Sequence, residues 1–348
     1  MSSVELKDPI KSSRLFLIGA GFSLDAVIPL TNDLFKLSMY NFSLDFPNVY
    51  KRIINIAKTC FSIDGDIDFS NLSFANFCTF LEYKELREFA GGERWSENGS
   101  REKLSFKYFL SKTISDYTPE KEFIPEIYLE FVDQLDNKDI ILTFNWDCLL
   151  EIALERVGKK YTYKYNGEGI KIFKMHGSIN WRLGQPNDLG RPIKDDFLGW
   201  QSMGLSDDLM PKEIYYSKKL LNPHVWSNYT CLGEVEPFII LPGYGKAFDV
   251  RNVAHFWYKP EYVFALTHDV FIIGLSLSHD DFFIRSFFLD NMTSLNSFTG
   301  YEDRRIYIIN PSQDAKYNYG YILETDYTFL LNEGFSKKHI NLMKERRT

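Results

Sequence analysis

An amide, a carboxylate and an imidazole stand out in this sequence because each follows directly on a short apolar run. Asn145 and Asp147 lie in Thr143-Phe144-Asn145-Trp146-Asp147 behind Ile140 to Leu142, and His176 lies in Met175-His176-Gly177-Ser178 behind Ile170 to Met175. Asn145 can donate and accept at once, which suits a ribose hydroxyl or a water. Asp147 can accept from a hydroxyl or cap the helix that begins near Cys148. An imidazole at a strand end, followed by a glycine that allows a sharp turn, suits a catalytic base better than a packed histidine. Two glycine turns complete the set. Gly19-Ala20-Gly21-Phe22-Ser23 falls between a strand and a helix, where it offers backbone N–H groups to a pyrophosphate or serves as a tight turn with no ligand. It has Leu24 where a dehydrogenase fingerprint has its third glycine. Gly274-Leu275-Ser276-Leu277-Ser278 reads as a second phosphate or ribose cradle, with Asp280 as a helix-start carboxylate.

These residues need a scaffold that gathers strand ends. Six apolar runs supply one: Arg14 to Ile18, Ile140 to Leu142, Ile170 to Met175, Phe238 to Leu241, Val270 to Ile273 and Arg305 to Ile309, the last ending in Asn310. Continuous apolar runs suit strands buried on both faces, and the ligand in such a sheet lies beyond the strands' carboxyl ends. The expected fold is therefore α/β, a Rossmann-like, mostly parallel six-stranded sheet covered by helices. One domain, 1–348, is expected, with two insertions. Residues 39–135 carry helical spacing, as in Phe123, Ile127, Phe131 and Leu135, and residues 182–236 are rich in Gly, Pro, Asn and Asp and read as loops. The tail from Lys337 reads as a short basic helix.

Composition narrows the function classes. The chain has 348 residues, 45% hydrophobic, a net charge of -7 and four cysteines. An acidic balance disfavours direct nucleic-acid binding, which depends on clustered Lys and Arg. No apolar stretch is long enough to span a membrane, and the polar start lacks a leader's apolar core, so a cytoplasmic protein is expected. Cys60, Cys78, Cys148 and Cys231 form no CxxC pair, and no metal is expected. Asp64-Gly65-Asp66-Ile67-Asp68 imitates a calcium loop but has Phe69 and Ala75 where that loop needs Gly and Glu.

Taken in order, Gly-Ala-Gly-Phe-Ser, Thr-Phe-Asn-Trp-Asp, Lys-Met-His-Gly-Ser, Gly-Leu-Ser-Leu-Ser-His-Asp-Asp and Ile-Ile-Asn resemble the successive motifs of the sirtuin family. The resemblance covers the core and not the insertions. It implies that NAD is bound as a substrate, with Asn145 and His176 catalytic. It assigns Gly19, Ala20, Gly21, Phe22, Ser23, Thr143, Asp147, Gly274, Ser276, Asp281 and Asn310 to binding NAD. The departures point away from the family's protein deacylases. Leu30-Thr31-Asn32 follows Ile28-Pro29, cysteine pairs for a zinc module are missing, and Leu241-Pro242-Gly243 stands where a strand end would pair with peptide. His-Gly-Ser-Ile-Asn-Trp at 176–181 is similar to bacterial sirtuin-like domains that degrade NAD in antiphage defence. The implied activity is NAD glycohydrolysis, the alternatives being an NAD-dependent deacylase or a non-catalytic sensor of NAD or ADP-ribose. Such an enzyme needs restraint, so self-assembly or a partner such as an ATPase, a nuclease or an Argonaute-type protein is expected.

Overall fold

The computed structural model describes residues 14–45, 47–69, 72–89, 101–165, 167–183, 191–192, 214–216, 237–243, 269–279, 281–297, 305–323 and 328–346, with single positions between 245 and 267. Seven parallel strands form the main sheet. These are β1 (Arg14–Ile18), β2 (Ile140–Thr143), β3 (Tyr161–Thr162), β4 (Ile170–Lys174), β9 (Asp269–Ile273), β10 (Arg305–Ile309) and β11 (Thr328–Leu331), in the order β11-β10-β9-β1-β2-β4-β3. A smaller antiparallel sheet, β6-β7-β5-β8, is built from β5 (Gly177–Leu183), β6 (Arg191–Pro192), β7 (Ile214–Tyr216) and β8 (Pro237–Ile239).

The expected fold class holds, but the strand list needs a correction. The Phe238–Leu241 run does not join the parallel sheet; it supplies β8 of the second sheet. Its residues are fully buried, and a short apolar run fits a doubly covered strand of either kind of sheet. The parallel sheet takes β3 and β11 instead, two short edge strands. The described part of 182–236 is strand as well, contributing β6 and β7.

Between β1 and β2 runs a series of helices: α1 (Thr31–Asp45), α2 (Pro47–Phe61), α3 (Phe74–Phe89), α4 (Arg101–Tyr117) and α5 (Glu126–Asp133). Phenylalanines knit α1, α3 and α4 together, Phe35 meeting Phe74, Phe77 and Phe106, and Phe42 stacking on Phe109 at 4.0 Å while also meeting Tyr50 of α2. α4 packs on β5 and β8, so this helical layer covers the second sheet. α6 (Leu149–Arg156) follows β2, α7 (Phe282–Ser297) follows β9, α8 (Gln313–Gly320) follows β10, and α9 (Lys337–Glu345) closes the chain.

The core begins at β1, whose five residues are all buried. Phe16 stacks on Phe271 of β9 and meets Phe131 of α5 edge-on. Each such side chain contributes roughly 1.5–3 kcal/mol by leaving water. At the amino end of the same strand Arg14 is buried, with its donors placed on Asp139, Gln134 and the Met343 carbonyl. That one guanidinium ties β1, the α5–β2 connection and α9 together below the sheet, at the end opposite the strand-end motifs.

Candidate active site

The carboxyl ends of β1, β2, β4, β9 and β10 bring the sequence motifs to one edge. Backbone bonds extend the ladder past the strands: Phe144 N donates to Ile18 O, Met175 N to Thr143 O, Gly19 N to Ile273 O and Gly274 N to Ile309 O. The motif residues therefore enter the site on paired backbone, which limits their freedom.

The first glycine turn packs directly on the second. Gly21 N donates to Gly274 O and Phe22 N to Gly19 O, so the Gly19, Gly21 and Phe22 amides bond within the protein. Both glycines lie against the second turn; a Cβ on Gly19 would stand 2.7 Å from Gly274 O. Gly274 has φ +63, a conformation that favours glycine. The Phe22 ring is buried among Tyr128, Phe131 and Phe335, and Tyr128 pins the turn by donating to Phe22 O while accepting from Ala26 N. Ala20 and Ser276, one on each turn, are exposed.

Ser23 links the turn to the β2 loop. Its hydroxyl donates to Asp147 Oδ2 at 2.9 Å and accepts from Asn145 Nδ2 at 3.1 Å. Asp147 Oδ1 accepts from Leu149 N at the start of α6, so helix capping and a bond across the site coexist in one carboxylate. Thr143 Oγ1 accepts from Asn145 N and shapes that loop. On the far side Asn310 donates to Leu275 O and accepts from Ser312 N, holding the second turn on β10.

Beneath the β2 loop lies a buried group unforeseen in the sequence. Lys174 pairs with Glu151 at 3.1 Å, donates to Ser178 Oγ at 3.1 Å and bonds the Asp147 carbonyl. Burial pulls the Lys174 ammonium down, but Glu151, Cys148 and Asp147 outweigh it and its pKa lies above the ordinary value. Burial also pushes the Cys148 thiol up to about 12, which leaves it inert as a nucleophile. The signal was the second of two lysines, Lys171 and Lys174, inside the run from Ile170 to Met175.

His176 occupies the junction of the two sheets. Its carbonyl accepts from Trp146 Nε1 and Ile240 N, and Gly177, at φ +74, lets β5 approach β8 where a Cβ would meet Phe238 O at 2.2 Å. The ring lies between Phe144, edge-on at 5.3 Å, and Trp257, nearly parallel at 6.0 Å. It bonds the Phe144 backbone, while Nε2 is buried with no hydrogen-bond partner among the described residues. A backbone bond that favours the protonated ring is one the ring donates, so with Nε2 unpartnered the donor is Nδ1 and Nε2 is the acceptor nitrogen. Burial first, then the nearby Lys246 ammonium, lowers the His176 pKa to about 3 against the opposing pull of Asp281 and the Phe144 bond.

Lys246 and Trp257 complete the surroundings. Lys246 pairs with both Asp281 oxygens at 2.8 and 2.9 Å and lies over the Trp257 and Phe283 rings. Asp281 also caps α7 by accepting from Ile284 N; Asp280 lies outside the described residues. Burial raises the Asp281 carboxyl, but Lys246 and His176 overcome it and the net shift is downward. Lys246 was legible in principle, since it closes a Gly-rich turn after an apolar run, as the other motifs do.

The chain matches no protein-family model and no curated protein. Among solved structures, a sirtuin studied for substrate affinity is similar at a TM-score of 0.42 and 12% identity, over 96% of this chain and 92% of that one. Sir2 in complex with the inhibitor EX-527, 2'-O-acetyl-ADP-ribose and a deacetylated p53 peptide is similar at 0.38 and 12%, over 95% and 91%. Sir2Tm bound to a propionylated peptide is similar at 0.38 and 12%, over 96% and 91%. Among the described residues, no helix is long and apolar enough to cross a membrane, and no group of three metal-ligating side chains occurs.

Proposed function

We propose that this chain binds NAD and hydrolyses the bond between nicotinamide and ribose, releasing nicotinamide and ADP-ribose. The observation that carries the reading is the His176 imidazole, buried, neutral and with Nε2 lacking a partner, on the same strand-end edge as the Asn145 amide, where ligands of such sheets bind. A buried nitrogen without a partner costs roughly 1–3 kcal/mol, which a substrate hydroxyl or water relieves.

The chemistry asks little else of the protein. Nicotinamide leaves as a neutral ring, so the site must support positive charge on the ribose and supply a placed water. Asn145, fixed through Ser23 and Thr143, orients the ribose or the water. His176 Nε2 takes the proton from a ribose hydroxyl or from that water. The exposed Ala20 and Ser276 edges border the space for the phosphates, with Gly19, Gly21, Phe22 and Gly274 shaping it and Thr143, Asp147 and Asn310 holding the loops in place. Asp281 acts from behind His176 through its ion pair. By the resemblance of His176 to Trp181, the cellular role is NAD depletion in antiphage defence, restrained by self-association or a partner protein.

The test is release of nicotinamide and ADP-ribose from NAD by wild type, His176→Ala and Asn145→Ala, with and without an acyl-lysine peptide. Peptide-independent release that falls about 100-fold to 10,000-fold in the variants supports the reading. Release only with peptide assigns a deacylase, and NAD binding without turnover assigns a sensor.

A further inference from the structure

We propose that Lys246, clamped by Asp281 and carried on a turn gripped by Glu82 of α3, is a positioning residue for His176. The proposal rests on the reading of His176 as the base. Lys246 is 1% exposed, and its ammonium meets Asp281 through two bonds of 2.8 and 2.9 Å while lying over Trp257 and Phe283 at 5.9 and 5.7 Å. Trp257 is the ring that lies against the imidazole, and its Nε1 donates to the Met175 carbonyl, one residue before His176. A cation this deep needs a reason, because burying it is costly even when paired. Here it sets the field around one neighbour. A second positive charge beside Lys246 is unfavourable, so the cation adds to burial in keeping the imidazole neutral and the Nε2 lone pair available.

The turn that carries Lys246 is held from the helical layer. Gly245 N donates to Glu82 Oε2 at 2.8 Å, and a Cβ on Gly243 or Gly245 would stand 2.4 or 2.7 Å from that carboxylate. α3 thereby reaches the site through Glu82, the Gly243–Lys246 turn and the ion pair. Among the described residues, the charged groups facing His176 are Lys246 from this turn and Asp281 from the start of α7; Glu82 faces Lys246.

The test is a histidine-selective NMR titration of the full chain from pH 8 to 2, a range that spans the His176 midpoint near 3, with His176 assigned by its loss in His176→Ala. Lys246→Met removes the cation and leaves Asp281 unpaired, and both changes favour a proton on His176. Its midpoint then rises by about one unit or more, whereas Lys246→Arg keeps the wild-type behaviour. In parallel, the acid limb of nicotinamide release moves to higher pH in Lys246→Met, kcat falling with KM for NAD nearly unchanged. Lys246→Gln, which can still donate to Asp281, gives the same readout where the Met variant does not fold. An unchanged His176 midpoint in folded Lys246→Met or Lys246→Gln overturns the proposal. A shifted midpoint in a protein that never releases nicotinamide supports the positioning role and overturns the hydrolase reading.

Discussion

Gly21 and Gly274 meet backbone to backbone: a Cβ on Gly21 would stand 2.9 Å from the Gly274 Cα, and a Cβ on Gly274 would stand 2.2 Å from Phe22 N. Neither neighbour is a flexible side-chain end that could yield. Gly274→Ala therefore combines a left-handed penalty of roughly 1–2 kcal/mol with a clash that must move the first turn. We expect a loss of stability of about 2 kcal/mol or more, read as a lower urea midpoint. Gly65→Ala is the control, since nothing lies within 4 Å of its Cβ, and it should change stability by no more than about 0.5 kcal/mol.

Arg14 and Asp139 form a buried two-bond pair at 2.6 and 3.0 Å. Removing one partner leaves the other's charge buried without its counter-charge, which costs about 3–5 kcal/mol. Arg14→Met and Asp139→Leu should each show that loss in urea unfolding, and the double variant should be markedly more stable than the sum of the two. Additive losses would show that the other Arg14 partners, Gln134 and the Met343 carbonyl, dominate.

Ser23 stands between Asn145 and Asp147, bonded to both. If it orients Asn145 for chemistry, Ser23→Ala and Asn145→Ala disable the same device. Their effects on kcat/KM for nicotinamide release should then be far from additive, with the double variant close to Asn145→Ala alone. Independent, additive losses would assign Ser23 to packing of the turn only.

The strand ends were readable because a parallel sheet imposes continuous apolar runs and because polar residues just past such runs break the pattern at the edge where ligands bind. That logic placed Asn145, His176, Ser23 and Gly274 at one edge. It failed at Phe238, where burial on both faces arises in the second sheet, so hydrophobicity alone could not choose between sheets. It did not reveal that Gly19 and Gly21 serve contact between two turns distant in sequence, because only the fold shows which backbones approach. Trp257 and Glu82 were hidden for the same reason: each acts on a neighbour of His176 through contacts across the chain.

The buried neutral state of His176 gives stability a pH dependence of known sign. Its pKa falls from 6.5 to about 3 on folding, so between those values the unfolded chain binds a proton that the folded one does not. Stability then rises with pH: the full contribution is present above about pH 6.5 and is lost as pH falls toward 3. The slope approaches about 1.4 kcal/mol per unit in the middle of that window. His339 has a lowered pKa as well, chiefly from burial, so the measurement must be a difference. Urea unfolding of wild type and His176→Gln at pH 7, 6 and 5 isolates the residue, because the variant keeps a polar side chain and loses the titration. We expect the wild type to lose stability faster than the variant on acidification, the gap opening below pH 6.5. Parallel losses in the two proteins would mean that His176 takes up its proton in the folded state, and so is not held as the free base that the proposed hydrolysis requires.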